Sequence, residues 1–216
     1  MAWENSIPTL TFENRLWNDG YRYVAGLDEA GRGAWAGPVV AAAVILPPDE
    51  PALAEYLAGV RDSKRLTSAR REALQESIQQ VALTWGVGAV SPAEIDSTGI
   101  VAATRKAMAL ALQTLSPAAE YLLIDYLSLP DVALPQKGLP KGDARVLSIA
   151  AASIVAKVSR DRIMVNLDAE LPGYGFGQHK GYGTVYHQTT LETLGPSPIH
   201  RLSFAPVERV AAQRQG

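Results

Sequence analysis

The chain has 216 residues, 47% hydrophobic and 19% charged, the balance of a globular chain with enough apolar material for a core. It has no cysteine, which excludes a disulfide scaffold, thiolate zinc or iron–sulfur sites and a cysteine nucleophile. Lys and Arg total 20 and Asp and Glu 22, a net charge of −2, so any nucleic acid would meet a local basic patch rather than a uniformly basic surface.

The first twenty residues read as a polar lead-in, and Met1–Asn5 lacks the basic and apolar regions of a secretion signal. Tyr23–Leu27 is a short apolar run, predicted as a strand ending at Asp28-Glu29. After a glycine-rich stretch, Val39–Leu46 is apolar on both faces and stopped by Pro47-Pro48, the pattern of a strand buried on both sides. Thr67 or Ser68 can cap a helix carrying Leu74, Ile78 and Val81. Leu83, Trp85, Val87 and Ala89 alternate as the apolar face of a third strand. Ser91-Pro92-Ala93-Glu94 is a capping box with proline at the first helical position. Ile100–Leu115 reads as a helix with Ala107, Met108, Ala111, Leu112 and Leu115 inward, and Tyr121–Asp125 as a strand ending in a carboxylate. The proline-rich residues 128–145 are expected to be a loop, 148–167 a long alanine-rich helix, and the glycine-rich 172–184 another loop. A short helix ends at Leu194 before Gly195, and 205–216 form a loose or helical tail. No apolar run reaches membrane-spanning length, so a cytoplasmic protein is expected.

Strands interleaved with helices predict an α/β fold, and the closely spaced early strands predict a mixed sheet flanked by helices. Two strands end in acid, Asp28-Glu29 and Asp125, and open α/β sheets bind ligands at strand ends. Clustered carboxylates repel one another, and a hard divalent cation, Mg²⁺ or Mn²⁺, relieves that cost. Each acid taken singly is equally a turn former or a helix cap. Asp161 read alone is an i, i+4 salt-bridge partner of Lys157.

The order of motifs is more specific than any one of them. Asp28-Glu29-Ala30-Gly31-Arg32-Gly33, Ala36-Gly37-Pro38, Asp62-Ser63-Lys64-Arg65-Leu66, Ile95-Asp96 to Gly99-Ile100, Lys141-Gly142-Asp143, Ser148–Asp161, Lys180–Thr184 and His200–Phe204 follow one another in the chain. In that order they resemble the type 2 ribonucleases H, the ribonuclease HII family, over roughly residues 22–205. Gly31-Arg32-Gly33 and the short segment before Asp28 separate the chain from the related ribonuclease HIII pattern. Two departures stand out: Tyr126 where the family often has glycine or alanine, and His179 where it often has asparagine.

The resemblance implies a ribonuclease H-like fold with a helical C-terminal region. It implies one catalytic domain over 1–216, with a core at about 22–170 and a substrate-contacting region at about 171–205. It further implies endonucleolytic cleavage of RNA paired to DNA and incision 5′ of a single ribonucleotide in duplex DNA, leaving a 3′-hydroxyl and a 5′-phosphate. Four acids would hold two Mg²⁺ or Mn²⁺ ions: Asp28, Glu29, Asp125 and Asp161, with Asp143 as the competing fourth. Gly31, Arg32, Gly33 and Tyr182 would read the ribonucleotide, and Lys64, Ser153 and Lys180 would contact phosphate. The expected partners are RNA/DNA hybrid and ribonucleotide-containing duplex, with no membrane, for a monomer. The rival readings are a binding module that has lost turnover and an integrase-type DNA nuclease.

Overall fold

In the computed structural model residues 7–214 are described. The segment read for a secretion signal and the last two residues of the tail lie outside the described residues. The sheet is laid down by small and β-branched residues that tolerate helices on both faces. β1 (Val24–Ala30) and β2 (Val39–Ile45) form its middle, and every residue of β2 is buried. β3 (Thr84–Val90), β4 (Tyr121–Asp125) and β5 (Gln136–Leu139) complete the order β3-β2-β1-β4-β5. The β1–β2 and β2–β3 pairs are antiparallel and β1–β4 and β4–β5 parallel, the mixed sheet expected.

The helices, in chain order, are α1 (Thr11–Asn18), α2 (Leu53–Tyr56), α3 (Ser68–Val81), α4 (Pro92–Thr98), α5 (Ile100–Gln113), α6 (Leu147–Glu170), α7 (Phe176–His179), α8 (Val185–Leu194) and α9 (Ala205–Gln213). Alternation along β1 and β2 divides the core into two layers. Ala25, Leu27, Ala41 and Ala43 pack with Ala107, Met108 and Ala111 of α5. Ala42 and Val44 pack with Leu74 and Ile78 of α3 and with Ala151, Ile154 and Val155 of α6. Thr67 and Ser91 cap α3 and α4 through their side-chain oxygens, as read from the sequence. None of the described helices is long and apolar enough to cross a membrane.

Four expectations change. β3 buries Gly86, Gly88 and Val90, while Trp85 and Ala89 are exposed and Val87 lies between. The reason is close approach: a Cβ on Gly88 would lie 2.1 Å from the Ala107 carbonyl oxygen of α5, so glycine, not the apolar residues, faces the helix. Residues 128–145 contain β5 and a 3₁₀ turn at Gly142–Ala144. β5 is a four-residue edge strand with two exposed residues, so it carries no hydrophobic signature. The 172–184 loop contains the single-turn α7, too short for periodicity to register. The lead-in is also structured: Glu13 of α1 is buried and its Oε1 accepts the Ser148 N–H at 2.8 Å, capping the start of α6 from a distance in sequence.

α6 lies on β1 at Gly26, where a Cβ would stand 2.2 Å from Ser148 C and 2.5 Å from Ile149 N. Backbone atoms cannot rotate away, so Gly26→Ala forces the helix off the sheet. Overpacking costs about 1–3 kcal/mol and more where backbone must move. Gly26→Ala is expected to lower stability by at least about 2 kcal/mol in urea unfolding. Gly33→Ala, where the added Cβ meets nothing within 4 Å, is expected to stay within about 0.5 kcal/mol of the parent.

Candidate active site

The β1–β4 ladder ends at the Leu27–Ile124 pair, and the next residue on each strand is an acid, Asp28 and Asp125. Both point to the α6 side, in phase with Gly26 and Leu123. β1 does not end there: it continues with β2 as far as Ala30, so the sheet opens only on the β4 side. The Asp28 carboxylate is 5% exposed and its Oδ1 accepts the Glu29 N–H at 2.7 Å. Asp125 Oδ1 accepts the Gly142 N–H, also at 2.7 Å, and this bond draws Lys141-Gly142-Asp143 to the strand end. Tyr126 and Lys141 hold left-handed backbone at φ 60° and 55° on either side of that bond, a strain typical of sites that the surrounding fold over-determines. Tyr126 is itself 68% exposed, so its bulk leaves the floor beside Asp125 clear.

The electrostatics are those of acids crowded together. Desolvation, then Glu29, Asp125 and Asp143, hold the Asp28 carboxyl well above its ordinary range. Burial raises Asp143 to about 6, with Asp125 and Asp62 adding to it. Asp125 is raised by burial as well. Glu29 is raised by burial against the pull of Arg32, whose Nη1 reaches Glu29 Oε1 at 3.1 Å. Desolvation pulls the Lys64 ammonium down, but Asp28, Asp62, Asp143 and Asp125 together outweigh it and raise its pKa. Lys64 and Arg32 thus both face this cluster.

Asp161, expected as the fourth ligand, is not brought to the cluster. It sits on α6 with Lys157 Nζ 2.7 Å from its Oδ1 and Arg71 Nη2 3.6 Å from its Oδ2, the i, i+4 pairing of a helix plus a cross-helix partner. Arg71 Nη1 also donates to the carbonyls of Ser63 and Leu66 at 3.0 and 2.6 Å. Asp161 therefore anchors, through Arg71, the turn that carries Lys64. Asp143 occupies the position among the acids that Asp161 was expected to fill. Helix geometry points Asp161 toward α3, and the sequence spacing alone did not reveal it.

Ser153 is buried, and its hydroxyl is engaged with Ser63 Oγ at 2.8 Å, so it also secures the Lys64 turn. Lys180 turns its ammonium to the Gly177 carbonyl, and its own carbonyl accepts from Arg160 Nη1 at 2.9 Å. The Gly31-Arg32-Gly33 loop meets the Lys180–Thr184 loop over two fully buried arginines. Arg160 donates to the carbonyls of Pro38, Ala36 and Lys180 at 2.9, 3.1 and 2.9 Å, and Arg201 to those of Gly37 and Arg32 at 2.9–3.0 Å. Gly31, at φ +92°, lies on Arg160: a Cβ would come 2.0 Å from its Nε. The Tyr182 ring stands 5.4 Å from Lys157 Nζ and 5.3 Å from Arg160 Cζ. Neither arginine was assigned a role from sequence; the available signal was, for Arg160, a charge within the largely buried α6, and Arg201 lies in the loop before α9 with no local pattern to mark it.

The donor set fits a hard divalent cation. All candidate ligands are carboxylate oxygens, three of them raised by burial and mutual repulsion, and Glu29 Oε2 is buried without a hydrogen-bond partner. Among the described residues no three acid or imidazole groups are drawn into a finished cage, the arrangement that repulsion between carboxylates favours.

The model of the family "Ribonuclease HII" matches residues 25–207. A ribonuclease HII of Chloroflexus aurantiacus is 54% identical over 93% of this chain and 95% of its own. Among solved structures, the ribonuclease H2 of Pyrococcus horikoshii matches with a TM-score of 0.72 and 26% identity over 89% of this chain and 98% of its own. Bst-RNase HIII, solved in complex with Mn²⁺, shares the fold at a TM-score of 0.65 and 21% identity, over 90% of this chain and 70% of its own.

Because the Asp143 pKa is raised to about 6, the folded chain keeps a proton that the unfolded chain releases in the ordinary carboxylate range. That contribution to stability is present in acid and is lost as pH rises through about 6. Measured with chelator, the fall in Tm across this window is expected to be smaller in Asp143→Asn than in the parent. Mg²⁺ is expected to raise the parent's Tm more at pH 7.5 than at pH 4.5, and a Tm indifferent to Mg²⁺ at both would contradict the site.

Proposed function

This chain belongs to the ribonuclease HII family of enzymes, which hydrolyse the RNA strand of RNA/DNA hybrids, and on that premise we propose that it also incises duplex DNA 5′ of a single embedded ribonucleotide. It does so with two Mg²⁺ or Mn²⁺ ions held by Asp28, Glu29, Asp125 and Asp143, leaving a 3′-hydroxyl and a 5′-phosphate. The observation that carries the ligand set is the strand-end pair Asp28 and Asp125, joined to Asp143 through the Gly142 N–H. The Mn²⁺ held by the ribonuclease HIII of the same fold is consistent with it. When bound, the cations would supply the charge that activates water and stabilises the departing 3′-oxygen.

The chain's own residues do the rest. Lys64, raised by the four acids around it, stays fully charged beside the scissile phosphate. Arg32 balances Glu29 until a phosphate competes for it. Backbone groups of Gly31 and Gly33 can approach a 2′-hydroxyl, the one group that distinguishes RNA from DNA. Tyr182 offers its ring to the sugar at the junction, with Lys157 and Arg160 behind it. Ser153 and Lys180 serve by holding loops. The enzyme acts in this reading as a monomer in the cytoplasm, as one catalytic domain over 1–216 with its core at about 22–170 and a substrate-contacting region at about 171–205.

Asp143→Asn is expected to cost at least about a hundredfold in kcat on either substrate, the loss of a charge set against a reacting centre. Asp161→Asn is expected to keep most of kcat and to raise KM, since it loosens the Lys64 turn rather than the metal site. Parallel kinetics on the two variants decide the fourth ligand, and the reverse ranking would restore Asp161.

Tyr182→Ala is expected to lose about ten- to a hundredfold on a single embedded ribonucleotide, the worth of a stacked ring, and less on a continuous hybrid. A hybrid offers a 2′-hydroxyl at every step, whereas the embedded ribonucleotide must be found at one junction. Equal losses on both substrates would assign Tyr182 to the support of the loop.

A further inference from the structure

All three histidines of the chain gather under the Tyr182 loop. His187 is fully buried, His200 is 2% exposed, and the His179 ring stacks on His187 with centroids 4.2 Å apart. None of them touches the acidic cluster. Their hydrogen bonds run in one direction. The Ser197 N–H donates to His200 Nδ1 at 2.9 Å, His200 Nε2 faces His187 Nε2 at 3.0 Å, and His187 Nδ1 meets the Tyr182 carbonyl at 3.0 Å.

The two ends of this line are unambiguous. An amide N–H only donates and a carbonyl only accepts. His200 Nδ1 must therefore be bare, its proton on Nε2. That proton goes to a bare His187 Nε2, and His187 carries its own proton on Nδ1, donated to the Tyr182 carbonyl. A second branch reads the same way: His179 Nε2–H donates to the Tyr174 carbonyl at 2.8 Å, leaving Nδ1 to accept the Gly181 N–H at 3.1 Å. A further proton on His187 or His200 would set N–H against N–H. Burial accordingly lowers His187 to about 4 and His200 to about 3, so both rings are neutral at working pH.

The line ends on the backbone of the residue proposed to read the ribonucleotide. Around it the Gly181 N–H is held by His179, the Tyr182 N–H by the His179 carbonyl, and the Lys180 carbonyl by Arg160. The Tyr182 carbonyl also accepts the Thr184 N–H at 2.8 Å, and the Tyr182 ring stands beside Lys157 and Arg160. We propose that His200 and His187 are positioning residues whose fixed tautomers set where Tyr182 stands, and thereby set the preference for an isolated ribonucleotide over continuous hybrid. This rests on the reading of Tyr182 given above. His200 acts at a distance: without its Nε2–H, His187 can take the other tautomer, and its bare Nδ1 then repels the Tyr182 carbonyl.

The test combines kinetics and NMR on the full chain. In the parent, ¹⁵N spectra are expected to give His187 as the Nδ1–H and His200 as the Nε2–H tautomer. The ratio of kcat/KM on a singly ribonucleotide-substituted duplex to that on hybrid is expected to fall about tenfold in His200→Leu, the effect of one misdirected buried hydrogen bond. His200→Gln, which returns an N–H at the Nε2 position, is expected to restore most of the ratio. His187→Asn, which keeps a donor toward Tyr182, is expected to retain it even if His200→Leu fails to fold. Opposite tautomers, or a ratio unmoved in His200→Leu while Tyr182→Ala moves it, would overturn the positioning role. A ratio unmoved in Tyr182→Ala itself would instead overturn the reading of Tyr182, and the role built on it, while the spectra still judge the tautomers.

Discussion

The contact on which the structure turns is the backbone-to-backbone approach of α6 to β1 at Gly26. Two residues beyond that contact on the strand is Asp28, and just before it on the helix side is the turn carrying Asp143. Because no side chain separates helix from sheet there, the start of α6 is pinned with little freedom, and Glu13 caps it from α1. Pinning one end of a 24-residue helix fixes everything it carries: Ser153 and Asp161 toward the Lys64 turn, Arg160 under Gly31, and Lys157 beside Tyr182. One close contact thus registers the acidic cluster, the basic turn and the two glycine loops against one another.

The acidic cluster costs stability, and the fold holds it by geometry rather than by pairing. Only Glu29 has a guanidinium partner at salt-bridge distance; Asp28 and Asp125 are held by backbone N–H donors instead. Donors of that kind fix orientation and leave the net negative charge in place, which is what a cation site needs. The left-handed residues Tyr126 and Lys141 flank this arrangement, and Lys180 flanks the reading loop, so the non-glycine positive-φ residues among those described all stand beside the proposed machinery.

The Gly31–Gly33 and Lys180–Thr184 loops follow a different logic. They carry little regular structure, and their carbonyls are gathered by Arg160 and Arg201, both fully buried. A buried guanidinium is expensive to desolvate and is kept only where several acceptors converge on it. The acceptors of Arg160 come from segments more than a hundred residues apart, Ala36–Pro38 and Lys180, and Arg201 holds the carbonyls of Arg32 and Gly37 from far along the chain, so the two arginines tie the first glycine motif to the later loops. The histidine line beneath Tyr182 adds direction to that junction, because a neutral imidazole between a donor and an acceptor has one tautomer that satisfies both.

What the sequence determined by itself was local chemistry and order: the buried strands, the Thr67 and Ser91 caps, the acids standing toward the ends of β1 and β4, and a series of motifs specific enough to name a family. Each is legible because it depends on near neighbours in the chain. What only the tertiary structure decided depended on approach between distant segments. The buried face of β3 is its glycine face because α5 comes too close for side chains, and β5 exists because β4 offers it an edge. Asp143 rather than Asp161 joins the acids because the Gly142 N–H reaches Asp125, while the turn of α6 aims Asp161 at Arg71. Lys157 four residues before Asp161 already spelled an ion pair, but a spacing along one helix does not say which neighbour that helix will face.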